Sequence, residues 1–300
     1  MPRVTVWRPV IFGGPGSEET IAATFRSWFE TGKVSRVNQN DIFCCLPLLV
    51  VLRPEHVRVA ESALHLPVGD LSALPVDRIQ SMLKAAGKPE IKSRVCVDFS
   101  FGGWNDRLVD CPFTYQSIHT AVSKAARMVD PWFTKIDFAA YFLQIPLAEE
   151  VREMFGVNVG GAYYRFNAMP FGVKLGPAVA SLVTSEIVKL AQAEFNVVAV
   201  SYIDDVLLIS DGEATAKDHK KKFLWLLDKL GFVVNPAKVA GPSRRIAFLG
   251  IDLESRMRPG QSPEIILAVD PAKAESLEKA IHPWAYDRQS VTKELRSVLG

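Results

Sequence analysis

Two short apolar runs, Asn196-Val197-Val198-Ala199-Val200-Ser201 and Val206-Leu207-Leu208-Ile209-Ser210, flank the tetrapeptide Tyr202-Ile203-Asp204-Asp205. Each run has strand length and polar or turn residues at its ends, which predicts a β-hairpin with the two aspartates at its tip. Apolar residues recur at helical spacing at Ile21, Phe25, Trp28 and Phe29, between Ser17-Glu18-Glu19-Thr20 and Gly32. That stretch predicts an amphipathic helix with a capped start. Helical spacing returns from Pro177 to Ala193, with proline near the start where it is tolerated, and from Asp218 to Leu230, stopped by Gly231. Leu46 to Leu52, Arg94 to Phe99 and Phe133 to Phe138 read as strands, as do Phe232-Val233-Val234 and Ile246 to Leu253. The first 16 residues read as a loose leader ending in Gly-Gly-Pro-Gly. Pro271 to Gly300 carries a helical pattern that breaks off at Leu299-Gly300, as either a fragment of a longer chain or a chosen boundary would.

Composition narrows this picture only modestly. At 300 residues and 48% hydrophobic, the chain is an ordinary globular one with room for two or three subdomains. A net charge of +2 gives no global signal for a polyanionic partner, but Lys217 to Arg258 holds ten basic against four acidic residues. Such a segment beside a carboxylate site suits a polyanion, whereas Lys220-Lys221-Lys222 alone reads as the solvated face of a helix. Cys44, Cys45, Cys96 and Cys111 form no C-x-x-C pair and no disulfide framework, which points to a reduced intracellular setting, cytoplasm or nucleus. Arg8, Pro9 and the glycines after Phe12 interrupt any signal-peptide core. The longest apolar run, Ile42 to Leu52, is about half of what a bilayer needs, so no membrane partner is expected.

The chemistry concentrates on carboxylates. A tight two-residue turn favours Asn-Gly or Asp-Gly, because it needs positive φ. Asp-Asp is a poor choice for a turn and a good one for holding a divalent cation, since adjacent like charges repel unless neutralised. Asp137 closes the strand Phe133 to Phe138 and lies 67 residues before Asp204. Alone, a strand-end Asp is more often a cap. On an adjacent strand of the same sheet, it would converge with Asp204 and Asp205, and two Mg²⁺ ions there would stabilise both oxygens of an in-line phosphoryl displacement.

The motifs together resemble a reverse transcriptase, as the fingers and palm of a retroelement polyprotein. Lys135-Ile136-Asp137 through Leu147 resembles the first carboxylate motif, with an aromatic residue five positions after the Asp and Ile-Pro-Leu at the end. Met169-Pro170-Phe171-Gly172-Val173-Lys174-Leu175-Gly176-Pro177 resembles the Leu-Pro-Phe/Gln-Gly segment that precedes a helix. Tyr202-Ile203-Asp204-Asp205 matches Tyr-x-Asp-Asp. Gly231 to Lys238 resembles the glycine-to-lysine segment ending Asn-Pro-x-Lys, and Phe248-Leu249-Gly250 the primer grip. Arg94-Val95-Cys96-Val97-Asp98-Phe99 resembles the fingers strand Arg-x-x-Val-Asp-Phe/Tyr, although Ser100 stands where long-terminal-repeat elements usually carry arginine.

What this resemblance implies is specific. The fold would be α+β, a right-hand polymerase with an antiparallel palm sheet, fingers and a partial thumb. Its divisions would be residues 1–16 leader, 17–135 fingers and start of palm, 136–255 palm, and 256–300 connection and truncated thumb. Asp137, Asp204 and Asp205 would hold Mg²⁺, with Mn²⁺ as an alternative, and Lys238 would protonate the leaving pyrophosphate. Arg94 and Lys88 (or Lys92) would contact triphosphate oxygens, and Phe171 and Gly172 would lie close to the nucleotide. Phe142 would lie under its sugar and exclude a 2′-hydroxyl. Phe248, Leu249 and Gly250 would grip the primer. The reaction would be RNA-directed DNA synthesis, with RNA template, DNA primer, RNA–DNA hybrid and dNTPs as partners and further polyprotein domains such as ribonuclease H. The alternative is a domesticated or inactive relative that only binds nucleic acid. An RNA-dependent RNA polymerase is disfavoured by Tyr-Ile-Asp-Asp and by Phe142.

Overall fold

The computed structural model describes residues 11–12, 17–52, 54–67, 70–71, 74, 76–89, 91, 93–258, 260–269 and 274–275. Most of the leader, Lys92 and nearly all of the helical pattern from Pro271 onward lie outside the described residues. In chain order the described strands are β1 (Ile11–Phe12), β2 (Val34–Val37), β3 (Leu48–Leu52), β4 (Ser93–Val97), β5 (Pro131–Asp137), β6 (Gly156–Val159), β7 (Ala162–Phe166), β8 (Val198–Tyr202), β9 (Asp205–Asp211), β10 (Ala240–Ser243), β11 (Arg245–Phe248), β12 (Ile251–Arg256) and β13 (Glu264–Val269). The helices are α1 (Ser17–Glu30), α2 (Pro54–Ala63), α3 (Val76–Ala85), α4 (Trp104–Arg107), α5 (Ile118–Ala125), α6 (Gly176–Phe195) and α7 (Glu213–Lys229). The architecture is α+β, as the sequence predicts.

The chain divides into two compact units, Met1–Phe113 with Ala140–Ala180, and Thr114–Ala139 with Ser181–Gly300. In the first unit, α1 turns Ile21 and Phe25 inward, and the Phe25 and Trp28 rings meet Phe166 at 5.8 and 5.6 Å. Burial of each such side chain is worth about 1.5–3 kcal/mol, so this contact ties α1 to the sheet β2-β7-β6. A second sheet, β1-β3-β4, pairs Leu48 with Val97 and Val51 with Arg94.

In the second unit, a four-stranded antiparallel sheet runs in the order β10-β5-β9-β8. Val206, Leu207, Leu208 and Ile209 of β9 are all at most 1% exposed. A strand between two others and covered on both faces accepts such an unbroken apolar run. Phe133, Val200, Leu207 and Ile209 share a core with Ala121 and Ala125 of α5 and with Ile246, Phe248 and Leu253 of the sheet β11-β12-β13.

Three local expectations change. Ile246 to Leu253 is not one strand, because Leu249 and Gly250, at φ +51° and +78°, form a two-residue turn between β11 and β12. Phe232-Val233-Val234 makes only a single bridge, Val234 to Phe138. α7 begins ahead of Asp218, at Glu213, whose carboxylate suits a helix N-terminus and pairs with Lys217 at 2.6 Å.

Candidate active site

The carboxylates converge through strand register. Asp137, the last residue of β5, stands directly opposite Asp205, the first residue of β9, and Asp205 in turn faces Tyr202 of β8. Residues directly opposite share one face of a sheet. The hairpin tip is therefore Ile203-Asp204 rather than Asp204-Asp205, because Asp205 is already in the ladder. Ile203 adopts φ +53°, a region that β-branched residues avoid. Two anchors hold it there: Thr184 Oγ1 of α6 donates to the Ile203 carbonyl at 2.6 Å, and the Phe138 N–H donates to the Asp204 carbonyl at 3.2 Å.

Cations already engage this cluster. Lys238 Nζ donates to both Asp137 oxygens, at 3.1 and 3.0 Å, from a short 3-10 turn, Pro236–Lys238, that Asn235 caps. The Asn235 N–H donates to the Asp137 carbonyl at 2.9 Å, which brings that turn to the end of β5. Lys135, on the same face of β5 as Asp137, lies 3.0 Å from Asp205 Oδ1. That oxygen is buried and receives no aligned hydrogen bond despite the ion pair. Burial first, then Asp205 and more weakly Asp137, hold the Asp204 carboxyl above its ordinary pKa, while Lys238 pulls it back. Among the described residues, no three His, Cys, Asp or Glu side chains are gathered closely enough to hold a metal ion in this arrangement.

The residues expected at the nucleotide group in the first unit. Arg94 of β4 lies over the Phe171 ring at 5.2 Å, and Phe171 meets Phe142 at 5.3 Å. Phe142, half-buried in a 3-10 turn, is also the side chain nearest to Gly176. Gly172 is exposed at φ +110°, and a Cβ there would collide with the Val97 carbonyl. Lys88 is exposed just after α3, with its N–H donating to the Leu83 carbonyl at 2.8 Å. Of the residues expected to grip the primer, in the second unit, Phe248 is fully buried core, Leu249 is half-buried and Gly250 exposed.

Residues 105–253 match the family model described as reverse transcriptase (RNA-dependent DNA polymerase). The chain carries a reverse transcriptase region. Among similar curated proteins, the genome polyprotein of Petunia vein clearing virus is 32% identical over 123 residues, 40% of this chain and 5% of that polyprotein. Polyprotein P3 of Commelina yellow mottle virus is 27% identical over 164 residues, 55% of this chain and 8% of the relative. The enzymatic polyprotein of Cauliflower mosaic virus (strain D/H) is 25% identical over 122 residues, 41% of this chain and 18% of the relative. The chain thus spans less than a fifth of the length of these relatives. Among solved structures, a foamy viral protease–reverse transcriptase in complex with double-stranded DNA aligns with a TM-score of 0.64 at 14% identity, covering 98% of this chain and 41% of that one. A foamy viral counterpart in complex with an RNA/DNA hybrid aligns at 0.62 and 15% identity, covering 98% and 32%. Identities this low speak to fold alone, and the fold is that of a right-hand polymerase.

Several residues around Asp137, Asp204 and Asp205 or the Gly172 loop carry little or no signal in the sequence. Lys135 had a signal, since it lies two positions before Asp137 and strand period places both on one face. Asn105 did not: its side chain donates to the Gly172 carbonyl at 3.1 Å and accepts from the Lys174 N–H at 2.9 Å, contacts 67 and 69 residues away in sequence. Nor did Gln116, which accepts from the Ser201 N–H at 2.9 Å.

Proposed function

We propose that this chain carries out RNA-directed DNA synthesis, adding deoxynucleotides to a primer 3′-hydroxyl along an RNA template, with Asp137, Asp204 and Asp205 as its reaction centre. The single observation that carries this reading is the register that sets Asp137 opposite Asp205 at the foot of a strained turn bearing Asp204. In kind the donor set suits Mg²⁺, or Mn²⁺ in its place, because it is all carboxylate oxygen, with Lys135 and Lys238 standing against Asp205 and Asp137 where a cation would be held. Asp204, held above its ordinary pKa by burial and two neighbouring carboxylates, has the electrostatic deficit that a divalent cation relieves. Bound there, the ions would neutralise charge developing on the transferring phosphoryl group.

The chain's own residues do the rest. Lys135 and Lys238 pair with Asp205 and Asp137, and Lys238 Nζ is a proton source for the leaving pyrophosphate. Arg94, stacked on Phe171, offers a guanidinium fork to triphosphate oxygens, and Phe142 supplies a flat ring for the sugar. RNA template, DNA primer and dNTPs are the partners this reading requires. Primer extension on RNA with dNTPs and Mg²⁺ tests it. The expected result is extension by the wild-type protein and loss of about two to three orders of magnitude in Asp204→Asn, since removing one electrostatic element of a preorganised site typically costs roughly 10²–10³. Extension unchanged by that substitution would sink the assignment.

A further inference from the structure

β8 is the outermost strand of its sheet, so the backbone groups along its free side have no ladder partner. Exposed edges are left to water or covered. Here one segment of the same unit covers the edge. The Ser201 N–H donates to Gln116 Oε1 at 2.9 Å, and Lys124 Nζ donates to the Ala199 carbonyl at 2.7 Å. Beside Gln116, the Tyr115 ring stacks on Tyr202 with centroids 4.4 Å apart and planes 28° apart. Burial lowers the Lys124 pKa, and burial together with Tyr202 raises that of Tyr115, which stays 38% exposed. The covering segment is itself fixed, because Ala121 and Ala125 of α5 are fully buried against Val200, Leu207 and Ile209.

We propose that Gln116 is a positioning residue for the carboxylate hairpin. It pins β8 at Ser201, one residue before Tyr202, and Tyr115 seats the Tyr202 ring. The inner side of the hairpin is set by β5 and its tip by Thr184 and the Phe138 N–H; the outer side is set by Gln116. With Ile203 held in a strained conformation, a freed outer edge gives the turn room to relax, and Asp205 no longer keeps its place opposite Asp137. The proposal rests on the reading of Asp137, Asp204 and Asp205 as the reaction centre.

Gln116→Leu keeps the approximate size and loses the acceptor, whereas Gln116→Glu keeps an acceptor oxygen. Amide deuterium exchange at Ser201 is expected to quicken about fivefold in the Leu variant, the size of one net hydrogen bond. In primer extension, kcat is expected to fall roughly tenfold with the dNTP KM nearly unchanged, as small displacements of reacting groups act mainly on the chemical step. The Glu variant should restore both. Tyr115→Leu, which leaves the hydrogen bond in place, should move kcat the same way and also serves if Gln116→Leu does not fold. Unchanged Ser201 exchange in Gln116→Leu, unchanged kcat in both Leu variants, or failure of Glu to rescue would overturn the proposal. Exchange at Ser201 is read without any substrate. A wild-type protein that extends no primer would therefore refute the polymerase reading, while the exchange result still decides whether Gln116 pins the strand.

Discussion

Gly172 shows how much of the nucleotide side depends on single residues. Its φ of +110° is one that side chains rarely adopt, and a Cβ would meet the Val97 carbonyl. The loop has little freedom to retreat. The Val97 N–H donates to the Phe171 carbonyl at 2.9 Å, and the Asn105 amide holds the Gly172 carbonyl and the Lys174 N–H at once. Gly172→Ala is therefore expected to cost about 1–3 kcal/mol from backbone strain alone. That lowers the melting temperature by roughly 2–12 °C for a chain of this size. Calorimetry checks it, and a melting point within a degree of wild type would mean that the loop yields. The glycine itself was legible as part of the Met169-to-Pro177 segment. Its clamp was not, because a side chain reaching a backbone 67 positions away leaves no periodic trace.

Among elements, legibility followed apolar content. β8, β9, α1 and α6 announce themselves through runs or helical spacing, and Asp137 was correctly placed at a strand end. β2, Val-Ser-Arg-Val, and β10, Ala-Gly-Pro-Ser, are short and mixed, and only their neighbours make them strands. The hairpin β6–β7 does carry a local signal, Gly160-Gly161 at φ +58° and +86° between its two strands. The tip of the carboxylate hairpin was displaced by one residue because intrinsic preference argues against Ile203 at positive φ, and tertiary anchors override that preference. Thr184 is the anchor that substitution isolates. Thr184→Val keeps the shape and strands the Ile203 carbonyl, so it should cost about 1–3 kcal/mol and reduce primer extension. Thr184→Ser, which retains the hydroxyl, should lose less of both. Equal melting points and rates for the Val and Ser variants would show that the hydroxyl does not hold the turn.

Across the whole molecule, charge pairing changes what composition implied. Seven of the ten basic residues from Lys217 to Arg258 are in ion pairs: Lys217, Lys222, Lys238, Arg244, Arg245, Arg256 and Arg258. Several of their partners, such as Glu213, Asp137, Asp130 and Glu264, lie outside that segment, so a local count of charge could not reveal the neutralisation. β11 and β12 make the case concrete. Arg245 pairs with Asp252 at 2.6 Å, Arg256 pairs with Glu254 at 2.7 Å, and Arg245 stands opposite Glu254 in register. The four side chains sum to zero charge, and a phosphate approaching either arginine also approaches a carboxylate. Exposed pairs of this kind add little stability, so their consequence lies in the field they cancel. Each phosphate neutralised by a protein cation contributes about 0.9 to the slope of log affinity against log salt on a duplex. If the quartet stays neutral on binding, replacing both Arg245 and Arg256 by Ala should leave the slope for an RNA–DNA hybrid within about half a unit of wild type. Fluorescence anisotropy across a KCl series measures this directly. A slope shallower by nearly two would mean that both arginines leave their carboxylates for phosphate, and that the basic segment serves the nucleic acid after all.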